Sequence, residues 1–199
     1  MEPFLVVGLG NAEKRYEHTY HNVGFLALDR LAARFSLEPT PLTLPIRWSL
    51  KKITAIMYTL TDESRGAHYM FAKPQCYMNE SGITVAALMR RYADQYHLTS
   101  KGLYVIHDDS DIALGSYKLK WGGNSGGHNG IESVIRFLGT QEFWHLKIGI
   151  RNMMDPIRVK AEKLVLQHIG SQEQHALDTT ISEALDSLEE QCGLSSRKS

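Results

Sequence analysis

The sequence predicts a single α/β domain in which a twisted, mixed and largely parallel β-sheet is flanked by helices on both faces. Short apolar segments of strand length alternate with segments whose apolar residues recur at helical spacing, as in proteins built from strand-helix-strand units. The chain has 199 residues, of which 43% are hydrophobic, and this is enough for one substantial core. Its apolar runs stay well short of the ~20 residues that a membrane-spanning helix needs.

The first half of the chain is predicted to contain four strands and two helices. An apolar run, Phe4–Val7, ends at a glycine and is typical of a buried strand. The chain becomes helical from Asn22, a residue type favoured at the N-cap, and Pro39, Pro41 and Pro45 indicate a loop after that helix. The remaining elements are strands at Ile46–Leu50, Ile53–Leu60 and His68–Ala72, then a helix defined by Val85, Leu88, Met89 and Tyr92, with Asn79 or Ser81 near its cap.

The second half continues the alternation. A strand at Leu103–Ile106 is predicted to end at His107-Asp108-Asp109, and in the next strand Tyr117, Leu119 and Trp121 alternate with serine and lysine, which predicts one buried and one basic face. The other predicted elements are a helix from Ile131 to Leu138 stopped by Gly139, a strand at Leu146–Ile150, a helix beginning at Asp155-Pro156, and a last helix carrying Leu177, Ile181, Ala184, Leu185 and Leu188. Residues 1–194 form the predicted domain and residues 195–199 a flexible tail.

The charge distribution and the cysteine content exclude few classes of function. The formal net charge is zero, but residues 112–163 carry eight Lys or Arg against four acids, whereas residues 171–190 carry six acids and no base. This asymmetry is compatible with one local anionic contact, although charged runs are more often solvated faces. Cys76 and Cys192 share no metal-ligand spacing, which favours a reducing compartment. With no signal sequence recognised at the N-terminus, we expect a cytoplasmic protein.

Several familiar motifs are incomplete. Gly8-Leu9-Gly10 begins like a dinucleotide-binding loop, but Glu13 occupies the third glycine position, where its charge would face a pyrophosphate. Ser125 lies in a Gly-x-Ser-x-Gly pattern, yet its later partners would be Asp155 with His168 or His175, on ordinary helices. A glycine-rich loop that a ligand approaches closely is the favoured interpretation, and a serine hydrolase using Ser125 is kept as an alternative.

The residues around His107 are weighed as ligands for a hard cation. Alternation along an extended segment would place neighbouring side chains on opposite faces, so at most two of His107, Asp108, Asp109 and Asp111 would converge. No metal and no cofactor are therefore expected.

Polar residues that follow predicted strands indicate base-assisted hydrolysis. Ligands of such sheets usually bind beyond the carboxyl ends of the strands, where Asn11, Asp108 and residues 122–130 are predicted to lie. A neutral His21 is suited to act as a general base, and Asp108 would fix its tautomer. Asn11, Asn79 and Asn129 would add uncharged hydrogen-bonding groups. With no convincing nucleophilic side chain, water would attack a carboxylic ester or amide.

Five segments together resemble the bacterial-type peptidyl-tRNA hydrolases. They are Gly8-Leu9-Gly10-Asn11, Tyr16 through Phe25, Lys73 through Gly82, His107-Asp108-Asp109, and Gly122-Gly123 through Gly130. The resemblance implies a cofactor-independent enzyme that cleaves the ester between a peptide and the 3′ ribose of tRNA, recycling tRNA from stalled translation. It also implies a monomer that needs no protein partner. A non-catalytic RNA-binding relative is the alternative within the same family.

The resemblance also implies roles for individual residues. His21 would be the catalytic base, Asp108 its partner, and Asn11 the residue that distinguishes blocked from free aminoacyl groups. The implied substrate contacts are Tyr16, Tyr77, Met78, Asn79, His128 and Asn129. The implied tRNA-phosphate contacts are Lys118, Lys120 and Lys147, and for the first two this agrees with the basic face predicted for their strand. The family's usual Asn-Pro-Gly reads Asn11-Ala12-Glu13 here, which adds a negative charge beside Asn11.

Overall fold

A computed structural model describes residues 2–45, 52–63, 66–152 and 160–194. Within these residues the strands are β1 (Phe4–Gly8), β2 (Thr40–Pro45), β3 (Lys52–Asp62), β4 (Ala67–Pro74), β5 (Leu103–Ala113), β6 (Tyr117–Trp121) and β7 (Trp144–Arg151). The helices are α1 (Val23–Arg34), α2 (Ser81–Tyr96), α3 (Asn129–Leu138), α4 (Ala161–Leu164) and α5 (Ser171–Cys192). Among the helices so described, none is both long and apolar enough to cross a membrane.

All seven strands belong to one mixed sheet with the order β2-β3-β4-β1-β5-β7-β6. The central strands β4, β1, β5 and β7 run parallel to one another. Strands β3 and β6 run antiparallel to the strands beside them. The predicted fold class, a mixed and largely parallel sheet, is therefore confirmed.

Helices cover both faces of this sheet because its strands alternate in the direction of their side chains. In β1, Val6 faces the core cluster that contains Leu28 of α1 and Ile181 of α5. The neighbouring Val7 faces the opposite cluster, which contains residues of α2 and α3. Such two-sided burial explains why the central strands read as continuous apolar runs in the sequence.

Two of the three prolines predicted to form a loop, Pro41 and Pro45, lie in a strand instead, whereas Pro39 lies in the irregular segment before it. Residues Thr40–Pro45 form β2, which pairs antiparallel with β3 at one edge of the sheet. The prediction of a loop is wrong because proline removes only a backbone donor, and an edge strand has one side that needs none. The predicted strand at Ile46–Leu50, the helix start at Asp155-Pro156 and the tail at 195–199 lie outside the described residues.

Strand β5 is longer than its apolar segment indicated. It continues through His107 and Asp108 to Ala113, and Asp108 pairs in register with Ile148 of β7. The register shifts only between Asp109 and Ala113. Backbone pairing with β7 therefore carries the strand past the polar residues that were predicted to end it, and it holds Asp108 within the sheet.

Candidate active site

His21 lies in a short 3₁₀ turn, Tyr20–Asn22, immediately before α1. The turn is tied to the segment after α4, because the backbone N–H of His21 donates to the carbonyl of Val165 at 2.8 Å. Gly24 lets α1 approach the sheet closely, since a Cβ at this position would lie 2.4 Å from the carbonyl oxygen of Ile106. The start of α1 is thus packed against Leu9, just after β1, and against Ile106 within β5.

The side chains of His21 and Asp108 meet directly. His21 Nδ1 lies 2.9 Å from Asp108 Oδ1, and the two residues are 6% and 2% exposed. An ionised carboxylate accepts hydrogen bonds, so Nδ1 carries the proton and Nε2 of His21 keeps its lone pair. Burial alone would raise the pKa of Asp108, but the adjoining His128 and His21 rings outweigh it and hold that pKa far below its usual range.

His128 is a second partner of the same carboxylate. Its Nε2 lies 3.0 Å from Asp108 Oδ1, while its Nδ1 accepts hydrogen bonds from the backbone N–H groups of Gly130 and Ile131 at 3.1 and 3.2 Å. His128 therefore caps α3 through one nitrogen and donates to Asp108 through the other. Both ring nitrogens of His128 are therefore occupied within the protein, and its contact with substrate stays a prediction.

The three side chains are close enough to be tested as a metal site. Among the described residues, potential ligand atoms of His21, Asp108 and His128 all lie within 4.8 Å of one another. A metal-bound histidine is normally neutral, with its proton on the other ring nitrogen. His128 cannot carry that proton, because its Nδ1 already accepts two backbone N–H groups. The arrangement fits a hydrogen-bonded triad better than a metal site.

Two further histidines lie buried close to the triad. In the sequence, His107 is considered only as a ligand for a cation, and no pattern points to His145. His107 Nδ1 donates to the backbone carbonyl of Asp108 at 2.8 Å, and His145 Nδ1 lies 3.4 Å from His107 Nε2. Burial, followed by the charges of Lys147 and Lys120, lowers the pKa of His145 to about 4. Burial likewise keeps the pKa of His107 well below its ordinary value. Both rings are therefore neutral near pH 7.

Asn11 follows β1 and is 7% exposed. Its side-chain oxygen accepts a hydrogen bond from the backbone N–H of Met78 at 2.9 Å, which leaves the side-chain NH₂ as a donor. The Met78 side chain is itself buried at 4% exposure, and its contact with substrate stays a prediction. Asn79, the residue after Met78, is exposed.

Tyr16 and Tyr77 belong to an exposed polar cluster around Glu13. The Tyr77 hydroxyl contacts the Glu13 carboxylate, and Arg15 Nε lies 2.7 Å from Glu13 Oε2. The Arg15 guanidinium stacks over the Tyr16 ring at 4.8 Å from its centroid. Glu13, the departure from the family pattern, thus joins two residues that the sequence assigned to substrate binding.

A cavity of about 360 Å³ contains two of the three catalytic candidates, His21 and Asp108, and the predicted phosphate contacts. The predicted site residues that do not line it are Asn11, Tyr16, Tyr77, Met78 and Asn79. Its lining includes His21, Asp108, His128 and Asn129, together with Lys118, Lys120 and Lys147. The sheet explains this grouping, since Lys118 lies opposite Lys147 in the β6–β7 register. Lys147 Nζ is 2.8 Å from Asp109 Oδ2, whereas within the described ranges no carboxylate pairs with Lys118 or Lys120.

Ser125 is not arranged as a nucleophile. Its hydroxyl accepts a hydrogen bond from the N–H of Gly127 at 3.3 Å. Among the described segments, Ser125 meets a histidine only through the backbone, where the N–H of His128 donates to its carbonyl. The strand before it, β6, is an antiparallel edge strand, whereas the nucleophile elbow follows a central strand. The loop favours close approach by a ligand, because Gly123 adopts φ +135° and Gly126 adopts φ +56°.

Comparison with known proteins identifies close relatives along nearly the whole chain. A family model described as peptidyl-tRNA hydrolase matches residues 5–197. Peptidyl-tRNA hydrolases of Mycobacterium tuberculosis and Mycobacterium ulcerans are each 38% identical over 188 residues, covering 94% of this chain and 90% of theirs.

Solved structures give the same result. The crystal structure of a peptidyl-tRNA hydrolase from Acinetobacter baumannii superimposes with a TM-score of 0.72 at 30% identity, covering 94% of this chain and 86% of that one. A crystal structure of a peptidyl-tRNA hydrolase in complex with N-propanol gives a TM-score of 0.74 at 29% identity, covering 96% and 88%.

Proposed function

The chain belongs to the peptidyl-tRNA hydrolase family of enzymes, and we propose that it cleaves the ester between a peptide and the 3′ ribose of tRNA with a water molecule activated by His21. The observation that carries this proposal is the 2.9 Å contact between His21 Nδ1 and Asp108 Oδ1. It leaves His21 Nε2 unprotonated in a cavity that also contains asparagine and lysine side chains.

The chemistry follows from this hydrogen bonding. His21 Nε2 takes a proton from water as the oxygen attacks the ester carbonyl carbon, and Asp108 stabilises the imidazolium that forms. The tetrahedral intermediate then collapses, and the ribose 3′ oxygen leaves with the proton held by His21. The products are a peptide carboxylate, with its proton released to solvent, and tRNA with a free 3′ hydroxyl. Each step uses side chains and water alone.

The asparagines supply neutral recognition in this scheme. Asn11 donates through its NH₂ group to a carbonyl oxygen near the blocked amino group, because its own oxygen is occupied by the Met78 N–H. Asn79 and Asn129 are exposed and offer amides to the acyl chain and to the developing oxyanion. Tyr16 and Tyr77 form part of the rim over which the peptide passes.

Lysines supply affinity for the tRNA without reading its sequence. Lys118 and Lys120 extend from the exposed face of β6 and bind phosphate, with Lys147 beside them. Such contacts suit an enzyme that accepts many tRNAs, since phosphate is common to all of them.

We further propose that the enzyme acts as a monomer in the cytoplasm, without a cofactor. The histidine pair, the carboxylate and the lysines of the site all come from one chain, so the chemistry requires no second copy. Light scattering of the purified protein, together with activity in the presence of a chelator, tests this expectation. A dimer that loses activity on dilution would contradict it.

Cleavage of matched substrates tests the proposed function. The enzyme should release tRNA from N-acetyl-aminoacyl-tRNA and leave the same aminoacyl-tRNA with a free amino group largely intact. Binding of both without cleavage would instead indicate a non-catalytic RNA-binding protein. Covalent labelling of Ser125 by a fluorophosphonate, with loss of activity, would indicate a serine hydrolase.

A further inference from the structure

We propose that Asn22 is a positioning residue that fixes Asn11 against the catalytic turn and thereby sets the preference for blocked aminoacyl groups. This inference rests on the proposed function, because it gives Asn11 the role of recognising the acyl group. It concerns a residue that the sequence assigned only to capping a helix.

The side chain of Asn22 forms two hydrogen bonds with the backbone of Asn11. Asn22 Oδ1 accepts from the Asn11 N–H at 2.8 Å, and Asn22 Nδ2 donates to the Asn11 carbonyl at 3.0 Å. The two bonds fix the orientation of the Asn22 amide. If its oxygen and nitrogen were exchanged, the NH₂ group would face the Asn11 N–H and the oxygen would face the Asn11 carbonyl, and neither pair could form a hydrogen bond. Asn22 is 4% exposed, so these bonds are formed away from solvent.

These contacts replace the role that the sequence predicts for Asn22. It precedes the first residue of α1, where an asparagine side chain normally accepts a hydrogen bond from the helix. Asn22 is the N-cap residue of α1, as predicted, but its side chain forms no hydrogen bond to the helix. The amide is committed instead to a backbone segment eleven residues earlier. The Asn22 side chain bonds to Asn11 instead of capping α1. This indicates that the backbone of Asn11 has to be held in place.

Fixing the Asn11 backbone also fixes what its side chain can present. Asn11 Oδ1 accepts from the Met78 N–H at 2.9 Å, so the free end of the side chain is an NH₂ donor. A donor matches the carbonyl oxygen of an acylated amino group, whereas a free ammonium group offers only donors. Discrimination between the two substrates therefore depends on holding this amide in one orientation.

Asn22 also links this recognition to the chemistry. It directly follows His21 in the same 3₁₀ turn, and the turn is tied through its backbone to Val165. A single rigid segment therefore carries the general base and the clamp on Asn11. Loss of the Asn22 contacts should therefore shift Asn11 relative to His21, and catalysis is sensitive to small errors in the placement of such groups.

The test is a double-mutant cycle on substrate preference. The measured quantity is the ratio of kcat/KM for N-acetyl-aminoacyl-tRNA to kcat/KM for the free aminoacyl-tRNA. Asn22→Ala should lower this ratio about 10-fold, the size expected for losing one or two buried hydrogen bonds. Asn11→Ala should lower it at least as much, and the double variant should lower it no further than Asn11→Ala, because Asn22 acts through Asn11.

Ser133→Ala is the matched control. Ser133 is 2% exposed, and its hydroxyl accepts a hydrogen bond from the N–H of Gly82, so this variant also orphans a buried backbone group. It should leave the ratio unchanged. If Asn22→Ala does not fold, Asn22→Asp is used, since it keeps the volume and one acceptor but cannot donate to the Asn11 carbonyl when ionised; it should also lower the ratio.

The outcomes separate the two proposals. An unchanged ratio in a folded Asn22 variant, or an additive loss in the double variant, overturns the positioning role. Failure of the unaltered enzyme to cleave the blocked substrate overturns the proposed function itself. The fraction folded is followed by thermal unfolding and by tRNA affinity, both of which should match those of Ser133→Ala.

Discussion

At the scale of single residues, the site depends on one carboxylate that accepts hydrogen bonds from two imidazole rings. Asp108 Oδ1 lies 2.9 Å from His21 Nδ1 and 3.0 Å from His128 Nε2. The backbone N–H groups at the start of α3 fix the tautomer of His128, and the carboxylate fixes that of His21. The base therefore carries its lone pair on the nitrogen that Asp108 does not occupy.

Two substitutions at His128 should separate its contact with Asp108 from its cap on α3. His128→Ala loses both, whereas His128→Asn keeps a residue favoured at the N-cap but is too short to reach Asp108. Both variants should lower kcat about 10- to 100-fold, because a hydrogen bond to a charged group is lost. Urea unfolding should show His128→Asn to be the more stable by about 1 kcal/mol. Equal stability would mean that the cap contributes nothing.

The sequence predicted some of these residue contacts and missed others. The meeting of His21 with Asp108 could be expected, because the sequence places His21 in the segment after β1 and Asp108 beyond the apolar part of the neighbouring parallel strand β5. The contacts of His128 and Asn22 could not, because each depends on a backbone group whose position only the folded chain defines. The catalytic roles themselves remain predictions.

At the scale of elements, the β6–β7 pair presents the basic surface. Lys118 and Lys120 alternate with apolar residues along β6, and Lys147 lies opposite Lys118 on β7. Lys147 is already paired with Asp109, so the two lysines of β6 should supply most of the attraction for phosphate. This distinction was not available from the sequence, where the three lysines appear equivalent.

Replacing the two β6 lysines should weaken tRNA binding in a salt-dependent way. In Lys118→Ala/Lys120→Ala, the slope of log Kd against log salt should fall by about two, or one for each lost phosphate contact. The measurement is a binding titration with uncharged tRNA at several salt concentrations. Lys101→Ala is the control, since Lys101 is exposed and lies just before the N-terminal end of β5. An unchanged slope would place the phosphate contacts on other residues.

The spacing of apolar residues predicted the elements that are buried in one regular pattern along their length. The central strands are buried on both faces and α3 has one apolar face, so each is visible in the sequence. Strand β2 was missed because its prolines resemble a loop, and an edge strand lacks a strong apolar signature. The extension of β5 was missed because pairing with β7, rather than local sequence, maintains it.

At the scale of the whole molecule, the acidic last helix is partly neutralised within the fold. Arg34 of α1 lies 2.6 Å from carboxylate oxygens of both Asp186 and Glu189 on α5. Arg30 forms a second pair with Asp178. The charge asymmetry in the sequence is therefore explained in part by packing between two helices, without a separate partner for these acids.

The buried histidines predict how stability depends on pH. The folded-state pKa of His145 is lowered to about 4, against an ordinary value near 6.5, so between these values the unfolded chain binds a proton that the folded chain does not. This contribution to stability is full above about pH 6.5 and is lost as pH falls toward 4. The lowered pKa of His107 likewise makes the folded state less stable as pH falls.

Urea unfolding at several pH values tests this expectation. Between pH 7.5 and pH 5, His145 should account for a loss of about 2 kcal/mol in the free energy of unfolding. His145→Gln keeps a donor for His107 but cannot titrate, so its unfolding free energy should fall less over the same range. Parallel curves for the two proteins would mean that His145 is readily protonated in the folded state.

The most direct test of the account is single-turnover cleavage of N-acetyl-aminoacyl-tRNA at saturating enzyme, comparing the unaltered protein with His21→Ala. The rate should fall 10²- to 10⁴-fold, as expected when a positioned general base is removed, while the Kd for tRNA stays within about 2-fold. An undiminished rate, or a loss of tRNA affinity that matches the loss of rate, would contradict the assignment of His21 as the base.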